Sequence, residues 1–335
     1  MINTIAETAW HHEGDFIFMK NLVHNICSID KVKTVKLHLT LDLDEYMQEN
    51  HPAYDTLKSW MLSESNWLEI VGIIRKSKKD LLLLLNDVRS IEFAAKLKPE
   101  MIELHSVCLN VPRMQDAVME KFSNKTKIVV GVGGSAIEEI DQAVRRFNGR
   151  RLVLMFGFQN YPTNFSDINL GKIKKIQKLY PDAQFGYADH TSWDEKYNEL
   201  ITLLVASNDM EYIEKHVTTH VGKERCDYSA AISIEQMREL TKRLELVEKI
   251  RGSGSLSLNQ SERKYADFGP MKMAAVAKSS MGKGEIFQLS DLHFCRTRAS
   301  TSMSQVDILD SEGRELCRDV ERGELIDWEL FKGKK

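Results

Sequence analysis

Ten histidines occur in 335 residues, and seven of them (His11, His12, His38, His105, His190, His216 and His220) lie in or just after short apolar runs of β character. Chance would scatter them through helices and loops. Imidazoles gathered at strand ends suit acid–base work or metal ligation, because the ring titrates near neutrality and its neutral form offers a lone pair to a cation. Charged groups share these positions. Glu7 ends the first run, Lys36 lies in the second, Asp189 precedes His190 at the seventh, and Glu214 and His216 lie in the eighth. His190 and His216, with Glu7 within reach, offer two nitrogens and a carboxylate to a divalent ion such as Mn²⁺ or Mg²⁺. A hydrogen-bonded core position is the commoner fate of any single histidine; the pair with Glu7 points to a centre. Gly131-Val-Gly-Gly-Ser135 follows a run and precedes a helical stretch, a place where backbone N–H groups can cradle phosphate. Turns of this kind also arise for tight geometry alone.

The elements that must position these residues are readable from apolar spacing. Strand-type runs are Ile2–Glu7, Val32–Leu39, Asp80–Asn86, Met101–Ser106, Lys127–Val132, Arg151–Gly157, Gln184–Ala188 and Tyr212–Val217. Between them, helical spacing marks Phe16–Ile29, Trp67–Ile74, Ile137–Phe147 with Ser135 as candidate N-cap, and Leu170–Leu179. Alternation of strand and helix gives right-handed βαβ units and a parallel sheet. Eight units in about 250 residues predict a (β/α)8 TIM barrel; an open doubly wound sheet is the alternative, and the eighth unit favours closure. A barrel gathers its chemistry at the C-terminal strand ends, where the histidines lie. After a helix at Ile234–Ile250, residues 251–262 are rich in Gly and Ser and read as a linker. Met273–Ala277, Glu285–Leu289 and Leu292–Arg296 are strand candidates, so 263–335 is expected to be a small, mostly β domain after a barrel at 1–250.

Composition excludes several classes. The 46 basic and 49 acidic residues leave a net charge of −3, with no basic excess for nucleic acid. Apolar strings such as Leu81–Leu85 are far short of the roughly 18–20 residues of a membrane helix. The N-terminus shows no charged segment followed by an apolar one, so no signal peptide is expected. Five scattered cysteines without a CxxC pair indicate neither a disulfide framework nor a zinc knuckle, and a cytoplasmic location is the expectation.

At these residues a family becomes visible. Ile5-Ala-Glu7 with His12-Glu-Gly14 resembles the opening "IAEIGxNHxG" of sialic acid synthases. Lys36 resembles the lysine of their "KFQ" strand. Tyr161-Pro-Thr163, Gly186-Tyr-Ala-Asp-His-Thr191 and Glu214-Lys-His-Val-Thr218 resemble "YPTP", "GxSDHT" and "EKHxT", in the same order. Val276-Ala-Lys278 and Gly282-Lys-Gly-Glu285 resemble the antifreeze-like (SAF) domain that follows the barrel in that family. The resemblance implies condensation of phosphoenolpyruvate with an N-acyl amino-sugar aldehyde to a nine-carbon 2-keto sugar acid. It implies His190 and His216 as ligands of a divalent metal, Mn²⁺ or Mg²⁺, and Glu7, Lys36, Tyr161 and Asp189 as catalytic residues. Substrate contacts fall to His38, Asn86, Ser106, Gly133, Gly134, Gln159 and, from the SAF domain, Arg296. It further implies a homodimer in which each SAF domain caps the barrel of the other subunit.

The departures concern the donor. The family's second donor-binding lysine falls on Glu103, its nearby glutamate on Cys108, and its "STG" turn on Gly131-Val-Gly133. The "SDH" serine becomes Ala188, the strand-3 "STPF" becomes Asn86-Asp-Val88, and Arg296-Thr-Arg298 replaces "RPG". A carboxylate in place of an ammonium repels an anionic donor by about 1–4 kcal/mol, enough for a tenfold loss of affinity. Three readings follow: a divergent synthase in which His38, His105 or Arg89 supplies the missing charge, a metal-binding barrel with another substrate, or a non-catalytic relative in a surface-glycan pathway.

Overall fold

The structure is a computed structural model describing residues 2–157, 160 and 162–332. Eight strands, β1 (Asn3–Glu7), β2 (Thr34–Leu39), β3 (Asp80–Leu85), β4 (Met101–Leu104), β5 (Lys127–Gly131), β6 (Leu152–Phe156), β7 (Gln184–Asp189) and β8 (Tyr212–Thr218), pair in parallel in chain order. β8 pairs back onto β1, closing the (β/α)8 barrel, and a short β9 (Ile232–Ser233) extends β8. Each expected strand is present with its ends moved by at most two residues.

The period of two explains how one strand serves two layers. On β3, Leu81, Leu83 and Leu85 join the core beneath the helices, while Leu82 joins Ile5, Met101, Val129, Val153 and Tyr212 inside the barrel. That inner layer fills the lower interior. Two residues further along the same strands the inward positions turn polar: Ile5 gives way to Glu7, Met101 to Glu103 and Tyr212 to Glu214. The site is the layer stacked on this apolar plug.

Helices fill the crossovers: α1 (Phe16–Cys27), α2 (Leu43–Tyr46), α3 (Tyr54–Trp60), α4 (Glu64–Lys76), α5 (Val88–Leu97), α6 (Pro112–Lys121), α7 (Ile137–Arg146), α8 (Phe165–Ile168), α9 (Leu170–Leu179), α10 (Asn198–Ala206) and α11 (Ile234–Arg251). Asp15 caps α1 by accepting from the Phe18 N–H, and the buried stripe Met19, Leu22, Val23 and Ile26 faces the sheet. A capping box of Ser63 and Asn66 starts α4 one turn before the apolar spacing does. Ser135 is not the cap of α7: Ala136 occupies that position, and its N–H donates to the Glu139 carboxylate at 2.7 Å.

The chain divides into two compact units, 1–252 and 253–335. The second contains α12 (Gln260–Tyr265), α13 (Gln305–Leu309) and an antiparallel pair, β10 (Ala274–Ala277) with β11 (Leu292–Cys295). Glu285–Leu289 is not a strand; Ile286 makes an isolated bridge to Glu315, and a 3₁₀ turn begins at Leu289. A small core of Ala275, Phe287, Leu316 and Ile326 holds the unit together, with Phe287 and Phe331 packed edge to face at 5.0 Å. Among the described residues no helix is long and apolar enough to cross a membrane.

Candidate active site

Register assembles the centre. Glu7 on β1 pairs with Lys36 on β2 and with His216 on β8, so three neighbouring strands deliver an acid, an ammonium and an imidazole at one level. The Lys36 Nζ lies 3.3 Å from Glu7 Oε2 and 2.9 Å from both Glu103 Oε2 and Glu214 Oε1, and all four side chains are buried. His216 Nε2 stands 3.1 Å from Glu7 Oε2. The His190 and His216 rings meet edge to face with centroids 4.9 Å apart. These groups, with His38, His105 and Asp227, line a cavity of about 40 Å³ at the C-terminal ends of the strands.

Electrostatics divides the carboxylates. Burial works against ionisation of Glu7, but Lys36 and His216 outweigh it and hold Glu7 well below the usual range. Burial and the neighbouring Glu7 charge push Glu214 well above it. Glu214 therefore favours its protonated form beside ionised Glu7. Paired groups driven apart in this way form an acid and a base within one site. Burial also raises Glu103, with Lys36 opposing. Burial tends to discharge Lys36, yet Glu103, Glu214 and Glu7 together keep it firmly protonated.

Burial holds three of the cavity's histidines neutral. Burial takes His190 and His38 down to about 3, and His105 to about 4. Neutrality suits His190 to ligation, since a metal binds the deprotonated ring. His38 and His105 likewise line the cavity as neutral rings. Arg89 lies on the surface against Glu64. Of the three expected sources of a compensating charge, Arg89 is the one the structure places away from the cavity.

The structure brings together Glu7, Lys36, His38, Gly133, His190 and His216. Other expected site residues lie elsewhere. Asp189 is turned away from the cavity: its carboxylate accepts from Lys215 Nζ at 3.0 Å and from the Thr191 and Thr202 hydroxyls. A catalytic role for it is replaced by a positioning one, because those bonds anchor the strand end that carries His190. Asn86 lines a different cavity and donates to Thr40 Oγ1, while Ser106 starts a 3₁₀ turn outside the lining. Gly134 lines a neighbouring cavity with Gly133. Arg296, within the second unit, donates through Nε to the Pro270 carbonyl. Gln159 and Tyr161 lie outside the described residues.

Glu103 points into the barrel mouth, as its alignment with a donor-binding position requires. Asp227, in the loop after β8, was not foreseen, since no periodicity marks a loop residue. The place of Glu214 in the centre was available from the period of two: it is inward because His216 is.

For a divalent ion, the donor set offers the neutral His190 ring and the adjacent His216 ring beside an ionised carboxylate, chemistry that fits Mn²⁺ or Mg²⁺. Among the described residues no group of three or more His, Cys, Asp or Glu stands in metal-holding geometry, so His190 and His216 would be the protein ligands with water completing the set.

Comparison with known proteins agrees with this architecture. A protein, MJ1065, of Methanocaldococcus jannaschii is 26% identical over 335 residues, covering 98% of this chain and 94% of that protein. The human N-acetylneuraminate-9-phosphate synthase is 24% identical over 347 residues, covering 99% and 93%. The crystal structure of a putative spore coat polysaccharide biosynthesis protein E from Chromobacterium violaceum superposes with a TM-score of 0.80 at 16% identity, over 99% of this chain and all of that one. The model of the NeuB family matches residues 28–256, the stretch that holds seven of the eight barrel strands and every side chain of the centre except Glu7. By that match, the chain is a divergent member of the NeuB family.

Proposed function

We propose that the chain is a carbon–carbon bond-forming sugar-acid synthase that condenses phosphoenolpyruvate with an N-acyl amino-sugar aldehyde. The observation that carries this reading is the convergence of Glu7, Lys36, His190 and His216 on one buried cavity across β1, β2, β7 and β8. His190 and His216 would hold Mn²⁺ or Mg²⁺, which when bound supplies a Lewis acid for the aldehyde. Ionised Glu7 takes the proton of the water that adds at C2 of the donor, after which phosphate leaves. Glu214, protonated against Glu7, returns a proton to the oxygen that develops on the acceptor. Lys36 orients both acids. The low dielectric of the cavity strengthens each of these contacts.

In this reading residues 263–335 are the antifreeze-like (SAF) domain, which caps the barrel of a second copy in a homodimer and brings Arg296 to the N-acyl group. The substrates are small cytoplasmic metabolites, and neither nucleic acid nor membrane is involved.

One observation favours the alternative, a substrate-shifted or non-catalytic relative. Glu103 stands 2.9 Å from Lys36, and neither His38 nor His105 carries charge. Release of phosphate from phosphoenolpyruvate, measured with Mn²⁺ across a broad panel of aldoses, tests the proposal. Release that depends on an N-acyl amino sugar is expected; none with any aldose would leave the alternative standing.

A further inference from the structure

An ammonium has three N–H donors. Lys36 Nζ already meets three carboxyl oxygens, Glu7 Oε2 at 3.3 Å and Glu103 Oε2 and Glu214 Oε1 at 2.9 Å. An anion that seeks Lys36 must therefore displace one of the three acids. They are not held equally. Glu7 also has His216 Nε2 at 3.1 Å, and the Glu7 charge draws Glu214 towards its protonated form. Glu103, reaching across the interior from β4, has Lys36 as its single ion-pair partner among the described residues. Glu103 is the acid that yields. The cavity these groups line measures about 40 Å³, room for about three waters, so a second anion beside an ionised Glu103 leaves neither a full water shell. At 2% exposure, a carboxylate parted from its ammonium and set against another negative charge takes up a proton instead of staying charged. Glu103 shares the cavity with Glu7 from β1, Lys36 and His38 from β2, His105 after β4, His190 after β7, Glu214 and His216 from β8, and Asp227 from the loop beyond. The Cys108 thiol feels its charge as well. Burial holds His38 and His190 near 3, His105 near 4 and Cys108 up at about 12, so these four keep their charge state between about pH 7.5 and 8.5.

We propose that Glu103 sets the ligand specificity of the centre: it is the built-in counter-ion of Lys36, and the phosphate or carboxylate of a donor replaces it only with uptake of one proton from solvent, which settles on Glu103. The inference rests on the proposed function for the identity of the donor and goes beyond it by tying binding to a proton. A ligand without an anionic group leaves the Lys36–Glu103 pair closed, so the pair screens ligands by charge.

Calorimetry on the full chain with phosphoenolpyruvate at constant Mn²⁺, from about pH 7.5 to about 8.5 and in buffers of differing ionisation enthalpy, counts the protons. A phosphate monoester has its second pKa at about 6, so the probe itself scarcely titrates in this window. The native protein should take up about one proton per ligand bound, and its affinity should fall about tenfold as pH rises by one unit. Glu103→Gln keeps the size of the side chain and removes its charge. It should bind at least about tenfold more tightly at the upper pH, take up no proton and show a flat profile. Circular dichroism checks that the variant folds, and the native pH profile is a test that needs no variant. A native affinity that ignores pH, with no proton taken up, overturns the proposal. So does a Glu103→Gln protein with the affinity and proton count of the native one, or absence of binding in both. Proton-linked binding without phosphate release on any aldose keeps the role of Glu103 and removes the synthase reading. Phosphate release whose KM for phosphoenolpyruvate is flat with pH and equal in the two proteins does the reverse.

Discussion

Lys36 is the residue on which the centre balances. Three buried carboxyl groups crowd together, Glu214 favouring its protonated form, and one ammonium serves them all. Lys36→Met should therefore lower the free energy of unfolding by about 3–5 kcal/mol in urea titration, the cost of leaving buried acids without their partner. A loss below about 1 kcal/mol would show that the acids are already neutral. Glu103→Lys reverses the sign of the change at the donor position. It should raise phosphoenolpyruvate affinity at least about tenfold by calorimetry, whereas unchanged affinity would detach Glu103 from the donor. Much of this centre could be read from residue type and order: Glu7 ends β1, His190 follows β7, and Lys36 and His216 lie within β2 and β8. The Lys36–Glu103 contact could not, because it joins β2 to β4 across the interior and exists only once the barrel closes. Asp189 misled for a related reason. Its place beside His190 is fixed by sequence, but adjacent strand residues face opposite layers, and Asp189 belongs to the outer one.

At the scale of elements, strands were legible and helices only partly. Barrel strands carry an apolar outer face, and β1, β4 and β8 add an inner face that is apolar below and polar above, which reads as a short, nearly continuous run. Helices with strong buried stripes, α1 and α4, show the same clarity. The short α2, α3 and α8 are too brief for a period to emerge, and the buried set of α6 (Met114, Gln115, Ala117 and Val118) includes a polar residue and a small one, so it forms no clear apolar stripe. In the second unit, single bridges such as Met281 to Val320 replace ladders, so alternation overstates strand content. Two substitutions test the local physics. Asp15→Ala removes the α1 cap and should cost about 1 kcal/mol in thermal unfolding. Gly157→Ala drives a Cβ into the Ala188 carbonyl at a φ that side chains rarely adopt, and should cost more than the cap does. The opposite ranking would mean that the β6–β7 approach is looser than described.

The whole molecule carries an acid liability. Burial holds His11, His12 and His105 near 4 and His38 and His190 near 3, while an unfolded chain protonates histidine near 6.5. Between these values the unfolded state binds more protons than the native one, so stability rises with pH through that window and is lost as pH falls from about 6.5 towards 4. Each such ring contributes up to about 1.4 kcal/mol per pH unit. Melting temperature should therefore drop steeply between pH 6.5 and 5, and His12→Gln should flatten the drop. A pH-independent melting temperature across that range would contradict the burial of neutral rings. Beneath these rings an apolar plug of Ile5, Leu82, Met101 and Val129 fills the lower barrel.

Calorimetric titration of the full chain with Mn²⁺, run on the native protein, His190→Ala and His216→Ala, bears most directly on the centre. The account predicts saturable binding near one ion per chain in the native protein and its loss in each variant. Binding of equal affinity in all three proteins would contradict it, because the two imidazoles that meet 4.9 Å apart would then share no ion.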